Sequence, residues 1–143
     1  MAVYEVVFFI EYSNPVNMRT IVNTDKAPAP IGPYNQAVKA GNFLYVSGQI
    51  PLSAETGDLV SGSIEVEARQ VLDNVGAILT AAGYRFEDVV KTSIFLADMS
   101  DFAVVNEVYA TYFTSDEPAR ETVAVKGLPK GVHVEISVIA YRP

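Results

Sequence analysis

The sequence predicts a single α+β domain in which two helices cover one face of a mostly antiparallel sheet. One observation is a strand-like alternation near the C-terminus, where apolar residues occupy every second position from 132 to 140. Another is a helical repeat of apolar residues between positions 68 and 82. The third is the order of the predicted elements along the chain, which is β-β-β-α-β-α-β-β.

Three strands are predicted before the first helix. A first strand covers residues 19–23. Residues 36–38 and 43–47 form the two strands of a hairpin whose turn is residues 39–42. Between these elements an extended loop is favoured, because each proline ring restricts φ and biases the preceding residue away from helix. The prolines of this loop are Pro28, Pro30 and Pro33. Residues 51–62 are predicted to be a turn-rich connection.

Two helices and a strand follow. The first helix carries an apolar stripe and ends at Gly83. Its stripe consists of Ala68, Val71, Leu72, Val75, Ile78, Leu79 and Ala82. A strand is predicted over 89–96, and the second helix begins near Ser100 or Asp101, either of which is a good N-cap. The apolar stripe of the second helix consists of Phe102, Val105, Tyr109, Tyr112 and Phe113, with Asn106 inside it.

The last two strands are predicted to pair with each other across a Gly/Pro-rich turn. Hydrophobic sets must face the same way, so Val123 and Val125 should share a face with the apolar residues of the final strand. Arg120 and Thr122 then share the opposite face with His133, Glu135 and Ser137. The prediction is that a guanidinium and a carboxylate converge on one sheet surface. The alternative is a cross-strand ion pair that stabilises the sheet by only a few tenths of a kcal/mol.

Composition limits the classes of function. The chain has 143 residues, 50% of them hydrophobic and 19% charged, which is typical of one globular domain. A net charge of −7 disfavours nucleic acid as a partner. There is no cysteine and only one histidine, which excludes a thiol nucleophile, a thiolate metal site and a multi-histidine metal centre.

The N-terminal residues 1–17 stand apart from the rest. Residues 3–12 have strong strand propensity, and Ser13-Asn14-Pro15 then interrupts them. Two interpretations remain open: an upstream start or artificial leader before a natural start at Met18, or an extra strand added to a sheet edge. No apolar run reaches membrane-spanning length and no signal sequence is recognisable, so a cytoplasmic location is expected.

Four ordered motifs carry a family resemblance. They are Ala29-Pro30-Ile31-Gly32-Pro33-Tyr34-Asn35-Gln36-Ala37, Tyr45-Val46-Ser47-Gly48-Gln49-Ile50-Pro51, the helix 101–109, and Pro118-Ala119-Arg120 with Leu128-Pro129-Lys130 and Val134-Glu135-Ile136. Together they resemble the RidA/YjgF family of reactive-intermediate deaminases, whose members are often labelled endoribonuclease L-PSP. The resemblance covers roughly residues 18–143. It implies a chorismate-mutase-like fold and a homotrimer whose sheets form a central barrel with clefts between subunits.

The resemblance also implies an activity and its residues. Members of the family hydrolyse 2-imino acids such as 2-iminobutanoate and 2-iminopropanoate to 2-oxo acids and ammonia, without a cofactor or a metal. Arg120 is expected to hold the substrate carboxylate, and Glu135 to position or activate the attacking water. The implied substrate-binding residues are Tyr34, Ser47, Gly48, Asn106 and Thr122. The histidine at position 133 is not demanded by the family motif and is interpreted as a bystander.

The chain departs from the family at one place. Glu121-Thr122 stands where many members carry Ser-Cys, which excludes thiol-linked roles such as oxidation sensing. Thr122 can keep the backbone N–H that faces the substrate, and strand alternation should turn Glu121 away from Arg120. Two other functions remain open: a non-catalytic protein that binds small carboxylates or unfolded clients, and the endoribonuclease of the family label. The first would need Arg120 but not Glu135.

Overall fold

The computed structural model describes residues 19–143, and these form the predicted series of elements. The strands are β1 (Arg19–Val22), β2 (Ala37–Ala40), β3 (Phe43–Gln49), β4 (Val89–Leu96), β5 (Ala119–Ala124) and β6 (Val134–Tyr141). The helices are α1 (Ile64–Ala81) and α2 (Phe102–Ala110), with short 3₁₀ turns at Phe86–Asp88, Met99–Asp101 and Pro129–Gly131. The predicted order is therefore confirmed. The interpretation of residues 1–17 lies outside the described residues.

All six strands form one sheet in the order β1-β2-β3-β6-β4-β5. Each neighbouring pair is antiparallel except β4 and β5, which are parallel. A parallel pair needs a crossover connection, and α2 lies within the one that joins β4 to β5. The prediction of a mostly antiparallel sheet is confirmed.

The predicted pairing of the last two strands is wrong. β5 pairs with β4 at the edge of the sheet, while β6 lies between β3 and β4. The alternation of β6 suits this central position, because its even-numbered residues are all buried and apolar. By contrast, Arg120 and Glu121 place a charge on each face of β5, which is tolerated only at a sheet edge.

The helices cover one face of the sheet and enclose the main core. The inward residues of β6 and β4 pack beneath α1 and α2 together with the buried stripe of α1. Ser63 caps α1, where its hydroxyl accepts a hydrogen bond from the backbone N–H of Val66. No helix in residues 19–143 is both long enough and apolar enough to cross a bilayer.

The opposite face of the sheet has no helix over it in the described part of the chain. Large apolar side chains stand exposed there, and Phe43 packs against Tyr45 and Tyr141 in a small aromatic cluster. The exposed members of this face are Ile21, Phe43, Tyr45, Val123 and Tyr141. Large exposed apolar side chains on one face are typical of a surface that takes part in an interaction.

A buried amide fixes the proline-containing loop between β1 and β2. The Gln36 side chain is buried; its Nε2 donates to the carbonyl oxygens of Thr24, Ala27 and Pro28 at 3.0, 3.1 and 2.8 Å. Its Oε1 accepts from the Thr24 backbone N–H at 2.6 Å. The two Nε2 hydrogens are shared among the three carbonyl oxygens, so one side chain binds four backbone groups of the loop that precedes Tyr34.

We expect Gln36→Glu to lower the free energy of unfolding by about 3 kcal/mol, because a carboxylate cannot donate and would be buried against three carbonyl oxygens. Urea unfolding followed by circular dichroism measures the change. Gln70→Glu is the control, since that half-buried amide makes one side-chain bond, to Asn74. Equal midpoints for the wild type and Gln36→Glu would contradict this role.

Candidate active site

The first candidate site is a cleft of about 270 Å³ at the end of β3. We call it the glutamate cleft. Its walls are Ile31, Tyr34, Ser47, Gly48, Ile50, Pro129 and Glu135. The proline-containing loop supplies Ile31 and Tyr34, β3 supplies the polar end, and β6 supplies the carboxylate. Four of the predicted site residues therefore lie together.

Gly48 is required by the close approach of Glu135. A Cβ at position 48 would lie 2.8 Å from the Glu135 Cδ and 3.0 Å from its Cγ, and closer still to one carboxylate oxygen. The β3–β6 register shifts between Val46 and Gln49, so the backbone is irregular at this point. The missing side chain and the irregular strand together allow the carboxylate to lie across the backbone of β3.

Glu135 is half-buried, and its carboxylate has no hydrogen bond or ion pair with the described residues. Burial, which disfavours the charged form, raises the pKa of its carboxyl above the ordinary value of 4.5. A carboxylate that is partly desolvated and unpaired is available to hold a water molecule and exchange a proton with it.

The two hydroxyl groups of the glutamate cleft have protein partners. The Tyr34 hydroxyl accepts from the Ile31 backbone N–H at 3.2 Å, and this closes the loop on itself. The Ser47 hydroxyl donates its proton to the Asn35 carbonyl oxygen at 2.7 Å. Ser47 therefore secures the loop to β3, and a ligand could use only the lone pairs of its oxygen.

The second candidate site is a cleft of about 410 Å³ between α2 and β5. We call it the arginine cleft. It is lined by Asn106, Tyr109, Ala110, Phe113, Glu117, Pro118 and Arg120. Nη1 of Arg120 donates to Oδ1 of Asn106 at 2.9 Å, and the guanidinium lies 4.8 Å from the Tyr109 ring centroid. Asn106 is exposed at the margin of α2, not within its apolar stripe as predicted.

The Arg120 guanidinium is oriented without being neutralised. Among the described residues, no carboxylate oxygen lies within 4 Å of its nitrogen atoms. Glu121 pairs with Lys91 and accepts from the Ser93 hydroxyl, and these partners hold the pKa of its carboxyl below the usual value. Glu121 thus points away from Arg120 as predicted, and a cross-strand ion pair does not account for Arg120.

Thr122 lies on the same face of β5 as Arg120, two residues further along the edge strand. Its side-chain oxygen is buried and has no hydrogen-bond partner among the described residues. The hydroxyl therefore retains an unused donor beside the arginine cleft, although Thr122 does not line that cleft.

The predicted convergence of Arg120 and Glu135 does not occur within one chain. Arg120 pairs with Thr92 of β4, whose side chain is buried under α2, whereas Glu135 pairs with Phe95 on the opposite face. The register separates the two residues by about 10 Å along the strands and about 10 Å across them. The prediction failed because it placed Val123 on the core-facing side of the sheet. In the structure β5 pairs with β4 and Val123 lies on the uncovered face, so Arg120 lies on the helix-covered face instead.

His133 also differs from its predicted position. Its ring contacts Glu67 of α1 on the helix-covered side and does not share the Glu135 face. The residue lies in a bend before β6, so strand alternation does not extend to it. It lines neither cleft.

Several contributors were not predicted from the sequence. Tyr109 and Phe102 flank the Arg120 guanidinium, while Ile31, Ile50 and Pro129 form the apolar walls of the glutamate cleft. The only sequence signal was that all five residues lie within the quoted motifs. No group of three or more metal-ligating side chains is present in residues 19–143.

Comparison with known proteins gives consistent matches. The family model described as Endoribonuclease L-PSP matches residues 24–142. A RutC family protein of Pyrococcus horikoshii is 54% identical over 125 residues, covering 87% of this chain and 99% of the relative. The mouse 2-iminobutanoate/2-iminopropanoate deaminase is 51% identical over 123 residues, covering 86% and 91%. The crystal structure of E. coli TdcF with bound serine has a TM-score of 0.83 at 42% identity, covering 87% and 99%.

The family-model match extends over both clefts and over all of the described strands and helices except the edge strand β1. The chain therefore belongs to the RidA/YjgF family, the family whose model carries the endoribonuclease L-PSP description.

Proposed function

We propose that this protein hydrolyses 2-imino acids to 2-oxo acids and ammonia, in an active site that two subunits share. Relatives about half identical to this chain are named 2-iminobutanoate/2-iminopropanoate deaminases. A solved relative holds serine, which carries the carboxylate and the nitrogen substituent that an imino acid also has. The proposal requires no cofactor and no metal.

The observation that carries the proposal is the position of Arg120 and Glu135 on opposite faces of the same sheet. A small imino acid spans only a few bonds from its carboxylate to its C=N carbon. One substrate cannot bridge the two residues of one chain, but it can bridge the arginine cleft of one subunit and the glutamate cleft of the next.

We infer that subunits associate through the uncovered sheet face and thereby form the shared site. Exposed aromatic and aliphatic side chains make that face apolar, and burying them between subunits is favourable. The family resemblance implies a homotrimer, so three equivalent clefts would form around one axis. Each subunit then contributes its Arg120 to one cleft and its Glu135 to another.

Arg120 suits recognition of the substrate carboxylate. The guanidinium is planar and offers paired N–H donors that match a carboxylate, and Asn106 engages one of its nitrogen atoms. The Tyr109 face behind it restricts its rotation, so less conformational freedom is lost when substrate binds. The substrate carbon is thereby held at a fixed distance from the bound carboxylate.

Glu135 suits the transfer of protons. Its carboxylate accepts one proton from the attacking water as the water oxygen bonds to the C=N carbon, and it returns that proton to the nitrogen, which gives a neutral carbinolamine. The carboxylate then accepts the hydroxyl proton of the carbinolamine as the C=O bond forms, and it delivers this proton to the nitrogen as the carbon–nitrogen bond breaks. Imine and water are consumed, and a 2-oxo acid and ammonia are released. One carboxyl group therefore acts first as the general base and then as the general acid.

The endoribonuclease description fits these residues less well. The single histidine of the sequence is bonded to Glu67 and lies outside both clefts. A net charge of −7 also opposes the approach of a polyanion. A carboxylate-binding arginine and an unpaired carboxylate favour a small imino acid instead.

Mixing two inactive variants tests the shared site. Subunits carrying Arg120→Ala and subunits carrying Glu135→Gln are combined in equal amounts by refolding. An intact cleft takes Arg120 from one type and Glu135 from the other, each forming half the subunits, so about a quarter of the clefts are restored. Ammonia release should recover to about that fraction of the wild-type rate.

The matched control mixes Arg120→Ala with the double variant Arg120→Ala/Glu135→Gln, which restores no cleft. Recovery in the test mixture no greater than in this control would contradict a site shared between subunits. Sedimentation equilibrium on the wild type should show a species of three times 15.5 kDa.

Glu135→Gln should reduce imine hydrolysis by roughly 10²–10⁴-fold, because the amide cannot exchange the proton. The basic form of Glu135 is needed, so the wild-type kcat/KM should fall as pH falls through a pKa above 4.5. Glu55→Gln, the same change at an exposed position outside both clefts, is the control. A protein that only binds carboxylates would show no hydrolysis in the wild type.

Arg120→Lys should preserve the fold and reduce kcat/KM by about 10²-fold, since an ammonium replaces the bidentate fork and shifts the substrate. Arg69→Lys serves as the control, because the side chain of that arginine forms an exposed ion pair with Glu65 on α1 and lines neither cleft. Rates equal to the wild type with an unchanged circular dichroism spectrum would mean that Arg120 has only a structural role.

A further inference from the structure

A buried carboxylate lies outside both clefts. Glu67 occupies the core-facing side of α1, three residues after Ile64 and four before Val71, and its side chain is only 7% exposed. A carboxylate at such a position is costly unless hydrogen bonds satisfy it. Its partners therefore indicate what this residue contributes to the fold.

Both oxygen atoms of Glu67 contact one residue. Oε2 accepts from the backbone N–H of His133 at 3.0 Å, and Oε1 lies 2.8 Å from Nδ1 of the His133 ring. The carbonyl oxygen of His133 accepts from the Ala97 backbone N–H at 2.9 Å. The His133 peptide is thus held between α1 and the residue that follows β4.

This anchor lies between two walls of the glutamate cleft. Glu135 is two residues after His133, and Pro129 is four residues before it. The intervening turn has left-handed backbone at Lys130, with φ of 57°, which an L-residue adopts at a cost. A turn of this kind needs firm attachment at its end, and the Glu67–His133 contact provides it.

We propose that Glu67, acting through His133, is a positioning residue that sets the start of β6 and thereby the orientation of the Glu135 carboxylate. This inference rests on the proposed function, in which Glu135 directs the attacking water. The Glu135 side chain lies close against the backbone of Gly48, so a small shift of β6 changes the position of the carboxylate relative to the substrate.

The contact has a component that depends on pH. The acidic groups that act on His133 are Glu67 from α1 and Asp101 from the turn before α2. The hydrogen bond to Glu67, its charge and the charge of Asp101 raise the His133 pKa above 6.5, while burial acts in the opposite direction. The contribution of the charged pair is complete below the ordinary pKa and is lost as pH rises through the raised one.

The test compares kcat/KM of the wild type, Glu67→Gln and His133→Gln across pH. Glu67→Gln keeps an oxygen for the His133 N–H but removes the charge. At about pH 6 both variants should be about five- to tenfold below the wild type, and above about pH 9 the three should converge. Glu65→Gln removes the same charge from the same turn of α1 and should follow the wild type throughout.

Urea unfolding of the same proteins at both pH values separates positioning from stability. The wild type should lose stability relative to Glu67→Gln as pH rises, which checks the charged pair whether or not imine is hydrolysed. An active wild type with a constant wild-type-to-variant ratio of kcat/KM at all pH values would overturn the positioning role alone. A wild type without hydrolysis would overturn the proposed function and, with it, this role.

Discussion

The helices cover only one face of the sheet, and successive side chains of a strand point to opposite faces. This constraint decides on which face Arg120 and Glu135 lie. Even-numbered residues of β6 enter the core beneath the helices, so Glu135 must face the uncovered side. On β5 the parallel register with β4 places Arg120 on the helix side. Neither residue can change face without turning over its whole strand, which would bury charge and expose core.

In the proposed function, the division into two half-sites makes catalysis depend on assembly. An isolated subunit holds an oriented guanidinium on one face and a desolvated carboxylate on the other. Keeping the two apart avoids a salt bridge that would neutralise both and lower the pKa of Glu135. Each group therefore keeps the property that the proposed chemistry needs: the guanidinium offers N–H donors to a carboxylate, and the Glu135 carboxylate has no ion-pair partner among the described residues.

Support for the glutamate cleft comes from buried polar side chains beside it. Gln36 satisfies the loop that carries Tyr34, and Asn74 of α1 donates to the carbonyl oxygens of Ile50 and Leu52 beside the cleft floor. Glu67 does the same for the start of β6. These hydrogen bonds hold loop segments against helices and strands. A site supported in this way can keep its geometry to within fractions of an ångström.

The sequence by itself determined the elements, their order and the residues with chemical capacity, because apolar periodicity, prolines and the four motifs are local signals. It also placed Glu121 away from Arg120, which follows from alternation within one strand. Only the tertiary structure decided that β6 lies between β3 and β4, because strand pairing depends on the crossover through α2 and on competition for the central position. This strand order separates Arg120 from Glu135 and places His133 beside Glu67. The sequence did not predict either result, because contacts between distant segments produce no periodic pattern in the sequence.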